Sequence, residues 1–146
     1  MTMKKILFLC TGNYYRSRFA EILFNWHAER RGLSWKAESR GLALDLFNFG
    51  PMSGFTEARL QSRGISSEAY QRLPLDVTST DFESADHVVA VKEAEHRPLI
   101  QRRFPDWLER VEFWQVHDID CARPEEALPQ LERHVDELVE RFMRVK

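Results

Sequence analysis

The sequence predicts an α/β fold, a three-layer α/β/α arrangement around a four-stranded parallel sheet. Two observations predict it. Short apolar runs of strand length alternate along the chain with longer stretches of helical periodicity, the pattern of a parallel sheet with helices on both faces. The first run, Ile6 to Leu9, is solidly apolar rather than alternating, as a strand covered on both faces requires. Right-handed crossovers then bring the C-terminal ends of the strands, and the loops that follow them, to one edge. One domain over residues 1–146 is expected, with no repeat, linker or low-complexity segment.

After that first strand, the loop Cys10 to Tyr15 carries Gly12 and Asn13, residue types that tolerate unusual backbone angles. From Arg16 or Ser17, apolar residues recur at Phe19, Ile22, Leu23 and Trp26, an amphipathic helix that Arg30-Arg31-Gly32 ends. Trp35 to Ser39 reads as a weak second strand. Residues 41–54 are irregular, yet hold Leu44, Leu46, Phe47 and Phe49; core packing of the two Phe is expected at least as readily as a place in a binding wall. Phe55 to Arg63 reads as a helix stopped by Gly64. His87 to Val91 is the third strand, Glu93 to Arg103 a helix with Pro98 near its start, and Arg110 to Val116 the fourth strand. Leu128, Leu131, Val135, Leu138 and Phe142 form the core stripe of a last helix.

A strand, a tight loop and a helix N-terminus make an anion cradle, because the loop N–H groups lack intrahelical partners and the helix dipole adds positive potential. Cys10 opens that loop and Arg16 closes it. The thiolate is the nucleophilic form of cysteine, and such a field favours it. Arg16 offers a planar fork for two phosphate oxygens, and Ser17 is placed to donate to the sulfur. The phosphate-binding set read from the loop is Thr11, Gly12, Asn13, Tyr14, Tyr15, Arg16 and Ser17. A Cys-x5-Arg-Ser/Thr spacing arises by chance in roughly one chain in fifty of this composition. The flanking strand and helix are what make chance a poor explanation.

This loop, Cys-Thr-Gly-Asn-Tyr-Tyr-Arg-Ser at residues 10–17, resembles the signature of the low-molecular-weight protein tyrosine phosphatases, and the chain length suits that family. The resemblance implies a cysteine-dependent phosphomonoester hydrolase acting on aryl phosphates, phosphotyrosine foremost, through a phosphocysteine intermediate. It implies catalytic roles for Cys10, Arg16 and a general acid in the loop after the fourth strand. That acid aligns with Asp118; Ile119 replaces the family's usual Pro, and Asp120 is the backup candidate. It also implies that Asn13 and Ser39 brace the loop, and that the segment around Phe47 is the variable, substrate-facing loop. Departures are Thr11, Tyr14, the Tyr15 that replaces a second cysteine, Arg18 in place of Pro, and Lys92-Glu93 in place of Met-Asp. The family's His before the third strand has no evident counterpart; Ala69 and Tyr70 lie nearby. A thiol-linked arsenate reductase, with Cys121 as the second thiol, and a catalytically weak anion-binding domain are the alternatives on the same scaffold.

Composition bounds the partners. Net charge is −2, which argues against non-specific nucleic-acid binding. Residues 1–40 nevertheless hold eight Lys/Arg against three Asp/Glu, and the remainder 13 against 20, so the cradle lies in a basic segment suited to an anionic substrate. No stretch is long and apolar enough to span a membrane. Two cysteines do not make a disulfide framework, and a cytoplasmic setting suits a reactive thiol. The five His show no metal-ligand spacing, so no metal or cofactor is expected. The expected partner is a phosphorylated protein or small aryl phosphate, with the chain a monomer or weak dimer.

Overall fold

The computed structural model describes residues 2–145; Met1 and Lys146 lie outside the described residues. Four strands, β1 (Lys4–Cys10), β2 (Trp35–Gly41), β3 (His87–Ala90) and β4 (Val111–Phe113), form one parallel sheet in the order β2-β1-β3-β4. Five α-helices accompany them: α1 (Arg16–Arg31), α2 (Gly54–Ser62), α3 (Ser79–Ser84), α4 (Glu93–Arg103) and α5 (Pro124–Arg144). The predicted three-layer architecture is therefore present.

Alternation along β1 divides the core in two. Ile6, Phe8 and Cys10 face a cluster with Phe19, Leu23, Leu131 and Val135 of α1 and α5. Leu7 and Leu9 face a second cluster with Phe82 of α3 and Ile100 of α4. Because β1 is central and buried on both faces, its sequence carries no polar alternation, which is why it reads as a solid run.

Several predicted boundaries shift. β2 is a full strand, because Lys4 to Cys10 pair in register with Trp35 to Gly41. β4 is shorter than residues 110–116: only Val111, Glu112 and Phe113 pair with β3, and the Trp114 side chain then packs into the core. α1 is not amphipathic in its first half; residues 16 to 25 are all buried, since β2, α2 and α5 all pack against it. The stretch around Asp81 is a helical turn, with Thr78 and Asp81 forming a reciprocal capping box. Phe47 and Phe49, for which core packing was an open reading, are both 90% exposed. Among the described residues, no helix is long and apolar enough to cross a membrane.

Strand order places the switch point of the sheet at the C-terminal end of β1, where neighbouring connections leave in opposite directions and a crevice opens. Cys10 is the last residue of β1.

Candidate active site

The loop between β1 and α1 is fixed from outside by its carbonyls. Leu42 and Ala43 donate backbone hydrogen bonds to the Cys10 and Thr11 carbonyls at 2.9 Å, and Ser53 donates to that of Tyr14 at 2.7 Å. The Thr56 hydroxyl donates to the Tyr15 carbonyl at 2.9 Å. Among the described residues, no hydrogen bond uses an N–H of Thr11 through Tyr15. Carbonyls out and amides unengaged is the arrangement of an anion nest. Asn13 sits at φ 51°, the left-handed region that Asn tolerates best after Gly. Gly41 is required by close approach: a Cβ there would lie 2.8 Å from the Thr11 carbonyl oxygen and 3.1 Å from the Asn13 nitrogen.

The sulfur is served by a fully assigned chain of donors. Asn13 Nδ2 donates to Ser17 Oγ at 3.0 Å and to Ser39 Oγ at 2.9 Å. Asn13 Oδ1 accepts from Arg72 Nη1 and from the Leu75 N–H, both at 3.0 Å, so the amide orientation is fixed. Ser17 Oγ lies 2.8 Å from Cys10 Sγ. That oxygen accepts from Asn13 and keeps its own proton, which it can donate to the sulfur when the sulfur is a thiolate. Ser39 in turn donates to Glu21 Oε1 at 2.6 Å, and Glu21 pairs with the fully buried Arg18 at 3.0 Å. Burial pushes the Glu21 pKa up, with Arg18 opposing. Arg72, placed beside Ser39 and Asn13, is lowered to about 10 by burial and then by Arg18, and stays charged at neutral pH. Arg72 donates to Asn13 Oδ1 and to Ser39; neither Ala69 nor Tyr70 contributes a side chain there. An Arg in a polar loop reads as surface, so nothing in the sequence marked it.

Arg16 is 1% exposed. Its end-on edge is taken by Glu95: Nη1 donates to Oε1 at 3.2 Å and Nη2 to Oε2 at 2.7 Å. Nη1 also donates to the Val116 carbonyl at 3.0 Å. Its Nε is buried with no acceptor among the described residues. Burial works against ionisation of Glu95, but hydrogen bonds from His96, Arg16 and Thr11 outweigh it and hold the carboxyl far below the usual range. His96 Nδ1 accepts from the Lys92 N–H at 3.1 Å, so its proton is on Nε2, which points at Thr11 Oγ1 at 3.1 Å. Burial depresses the His96 pKa, consistent with a neutral ring. Sequence reasoning missed Glu95: in the first turn of α4 an acid reads as a dipole partner, and its contact with Arg16 spans 79 positions.

A cavity of about 770 Å³ opens over the loop, lined by Cys10, Thr11, Gly12, Tyr14, Tyr15, Arg16, Phe55, Asp118 and Ile119 among others. Cys10 is 2% exposed, at its floor. Asn13 and Ser17 are instead wholly buried beneath it, as braces. Asp118 Oδ2 stands 3.5 Å from Arg16 Nη2, and Asp118 Oδ1 accepts from the Ile119 N–H at 2.9 Å. Asp120 does not line the cavity. Nor does Cys121, which is exposed with Lys92 Nζ at 3.9 Å.

The family model for low molecular weight phosphotyrosine protein phosphatase matches residues 5–144. A protein-arginine-phosphatase of Bacillus subtilis (strain 168) is 31% identical over 106 residues, 73% of this chain and 67% of that protein. The low molecular weight protein-tyrosine-phosphatase YfkJ of the same organism is 30% identical over 90 residues, 61% of this chain and 56% of that protein. The crystal structure of YfkJ from Bacillus subtilis superposes over 100% of this chain and 98% of that one, with a TM-score of 0.86 at 24% identity. Sequence match, strand order and the loop between β1 and α1 agree: the chain belongs to the low molecular weight phosphotyrosine protein phosphatase family, and the relatives it matches are named as protein phosphatases.

Proposed function

We propose that the chain hydrolyses aryl phosphates, phosphotyrosine in proteins foremost, through a phosphocysteine on Cys10. The observation that carries this reading is the state of the Arg16 guanidinium. Glu95 and Val116 occupy its end-on fork, while the side-on edge formed by Nε and Nη2 keeps an unpaired buried N–H beside Cys10. A buried donor without an acceptor is costly, and a phosphate oxygen is the acceptor that fits it. The amides of Thr11 to Tyr15 take the remaining non-bridging oxygens.

The Cys10 thiolate attacks phosphorus and the P–O bond to the aryl group breaks. Asp118, in its protonated form, gives its proton to the departing phenoxide. The resulting carboxylate then takes a proton from water, which attacks the phosphocysteine; the S–P bond breaks and the thiolate re-forms. Ser17 Oγ, 2.8 Å from the sulfur, donates to the thiolate, which can only accept, and stabilises it at both ends of the cycle. Asp118 is preferred over Asp120 because it alone of the two lines the cavity. The aromatic side chains of Tyr14, Tyr15 and Phe55 suit a planar phosphorylated ring. Leu46, Phe47 and Phe49, each at least 90% exposed, suit apolar residues of a protein substrate. A nucleophilic thiol fits a reducing, cytoplasmic setting.

The test is turnover of 4-nitrophenyl phosphate and of phosphotyrosine and phosphoarginine peptides by wild type and Cys10→Ser. Phosphotyrosine and 4-nitrophenyl phosphate are expected to be hydrolysed by wild type only, with acid-quenched protein carrying one phosphate on Cys10. Full activity of Cys10→Ser refutes the mechanism. Preference for the phosphoarginine peptide refutes the aryl assignment alone.

A further inference from the structure

Of the side chains along the cavity wall, Tyr15 carries a buried hydroxyl, without a partner among the described residues, that the mechanism leaves unused. Tyr15 is 7% exposed, and its oxygen is buried with no partner among the described residues. Its side chain lines the same cavity as Cys10, Arg16 and Asp118. Burial first, and then the negative charge of Asp118, push its pKa up to about 12, so it remains a protonated donor throughout the neutral range.

Asp118 is loosely held by comparison. One oxygen accepts from the Ile119 N–H, and the other only approaches Arg16 Nη2 at 3.5 Å. Nη2 belongs to the edge that a bound phosphate claims. Once it is claimed, the Asp118 carboxyl group, which must carry its proton at that stage, loses its contact with the guanidinium. A neutral donor to its carbonyl oxygen holds such a group in place without competing for the phosphate.

We propose that Tyr15 is a positioning residue: its phenol donates to the Asp118 carboxyl group when phosphate occupies the cradle, and so sets that group over the leaving oxygen. This rests on Asp118 being the proton shuttle of the proposed reaction. A hydroxyl that is orphaned in the unloaded protein and bonded in the loaded one also explains why it is kept buried without a partner.

The experiment compares kcat/KM for phenyl phosphate, whose leaving group needs a proton, with that for 2,4-dinitrophenyl phosphate, whose leaving group does not. Asp118→Asn is expected to lose about 10²–10⁴-fold more on phenyl phosphate than on the dinitro ester. Tyr15→Phe is expected to lose about tenfold more, as a mispositioned rather than missing acid does. The double variant is expected to match Asp118→Asn alone. The thermal midpoint of Tyr15→Phe is expected to equal or exceed that of wild type, since the change removes an unbonded buried hydroxyl. Equal losses on both esters, or none, for Tyr15→Phe overturn the proposal while leaving Asp118 in place. If Asp118→Asn itself fails to discriminate, the shuttle assignment falls and the proposal with it.

Discussion

Arg16→Lys tests the division of the guanidinium between protein and ligand. The substitution keeps the charge and removes the fork. In wild type, three hydrogen bonds, to Glu95 at 3.2 and 2.7 Å and to Val116 at 3.0 Å, hold the end-on edge and leave Nε and Nη2 for phosphate. An ammonium cannot face both ways: on a shorter reach, it is captured by the Glu95 carboxylate, which is ionised well into acid. Two charge-assisted hydrogen bonds of about 1.5–3 kcal/mol each are then lost from the transition state. Allowing for the Coulomb attraction that survives, the net loss is about 3–4 kcal/mol, or roughly 10²–10³ in kcat/KM. The assay is steady-state hydrolysis of 4-nitrophenyl phosphate, with urea unfolding as the control. Stability is expected to fall by about 1–3 kcal/mol, as the Val116 carbonyl loses its donor. A folded Arg16→Lys protein within tenfold of wild-type kcat/KM refutes the side-on reading.

Two further outcomes follow from the surrounding network. Arg72→Gln removes donors from Asn13 Oδ1 and the Ser39 carbonyl, which lie 3.0 and 2.9 Å away; kcat/KM is expected to fall about tenfold through a loosened cradle, measured on the same ester, and unchanged activity counts against the bracing role. Glu112→Gln probes the far end of the sheet. Burial opposes ionisation of Glu112, but His87, Arg141 and Trp114 donate to it and lower its pKa from 4.5 to about 2. A depressed carboxylate contributes stability above its unfolded value, and that contribution is lost as pH falls through the folded one. With its side chain 27% exposed, about 1–2 kcal/mol is expected at pH 7. Urea midpoints of wild type and variant are expected to differ at pH 7 and to converge as the pH approaches 2; a gap that stays constant contradicts the assignment.

The parts legible in the sequence are those whose causes are local. β1 is readable because burial on both faces leaves a solid apolar run, and the loop is readable because Asn13, Arg16 and Ser17 each answer a backbone, charge or hydrogen-bond requirement of the loop itself. Glu95 and Arg72 were invisible for the opposite reason. Each is an ordinary charged residue in a helix turn or loop, and its role comes from contacts 79 and 59 positions away. Phe47 and Phe49 were open to a core reading because apolar content normally reports burial; here the chain between β2 and α2 is pinned to the cradle through Leu42, Ala43 and Ser53, and the segment between those anchors is left in solvent. β4 pairs over fewer residues than its apolar run suggests, because Trp114 and Val116 continue into the core after the pairing ends.

The near-complete burial of the first half of α1 separates two kinds of change that this fold can accept. Replacements in residues 16 to 25 press on the sheet or on neighbouring helices and disturb the pedestal beneath the sulfur. Replacements at Leu46, Phe47, Phe49 or Ile119 meet mostly solvent. Preference among targets can therefore drift through the rim, one loop at a time, while the reaction itself stays locked to a helix that tolerates few alterations.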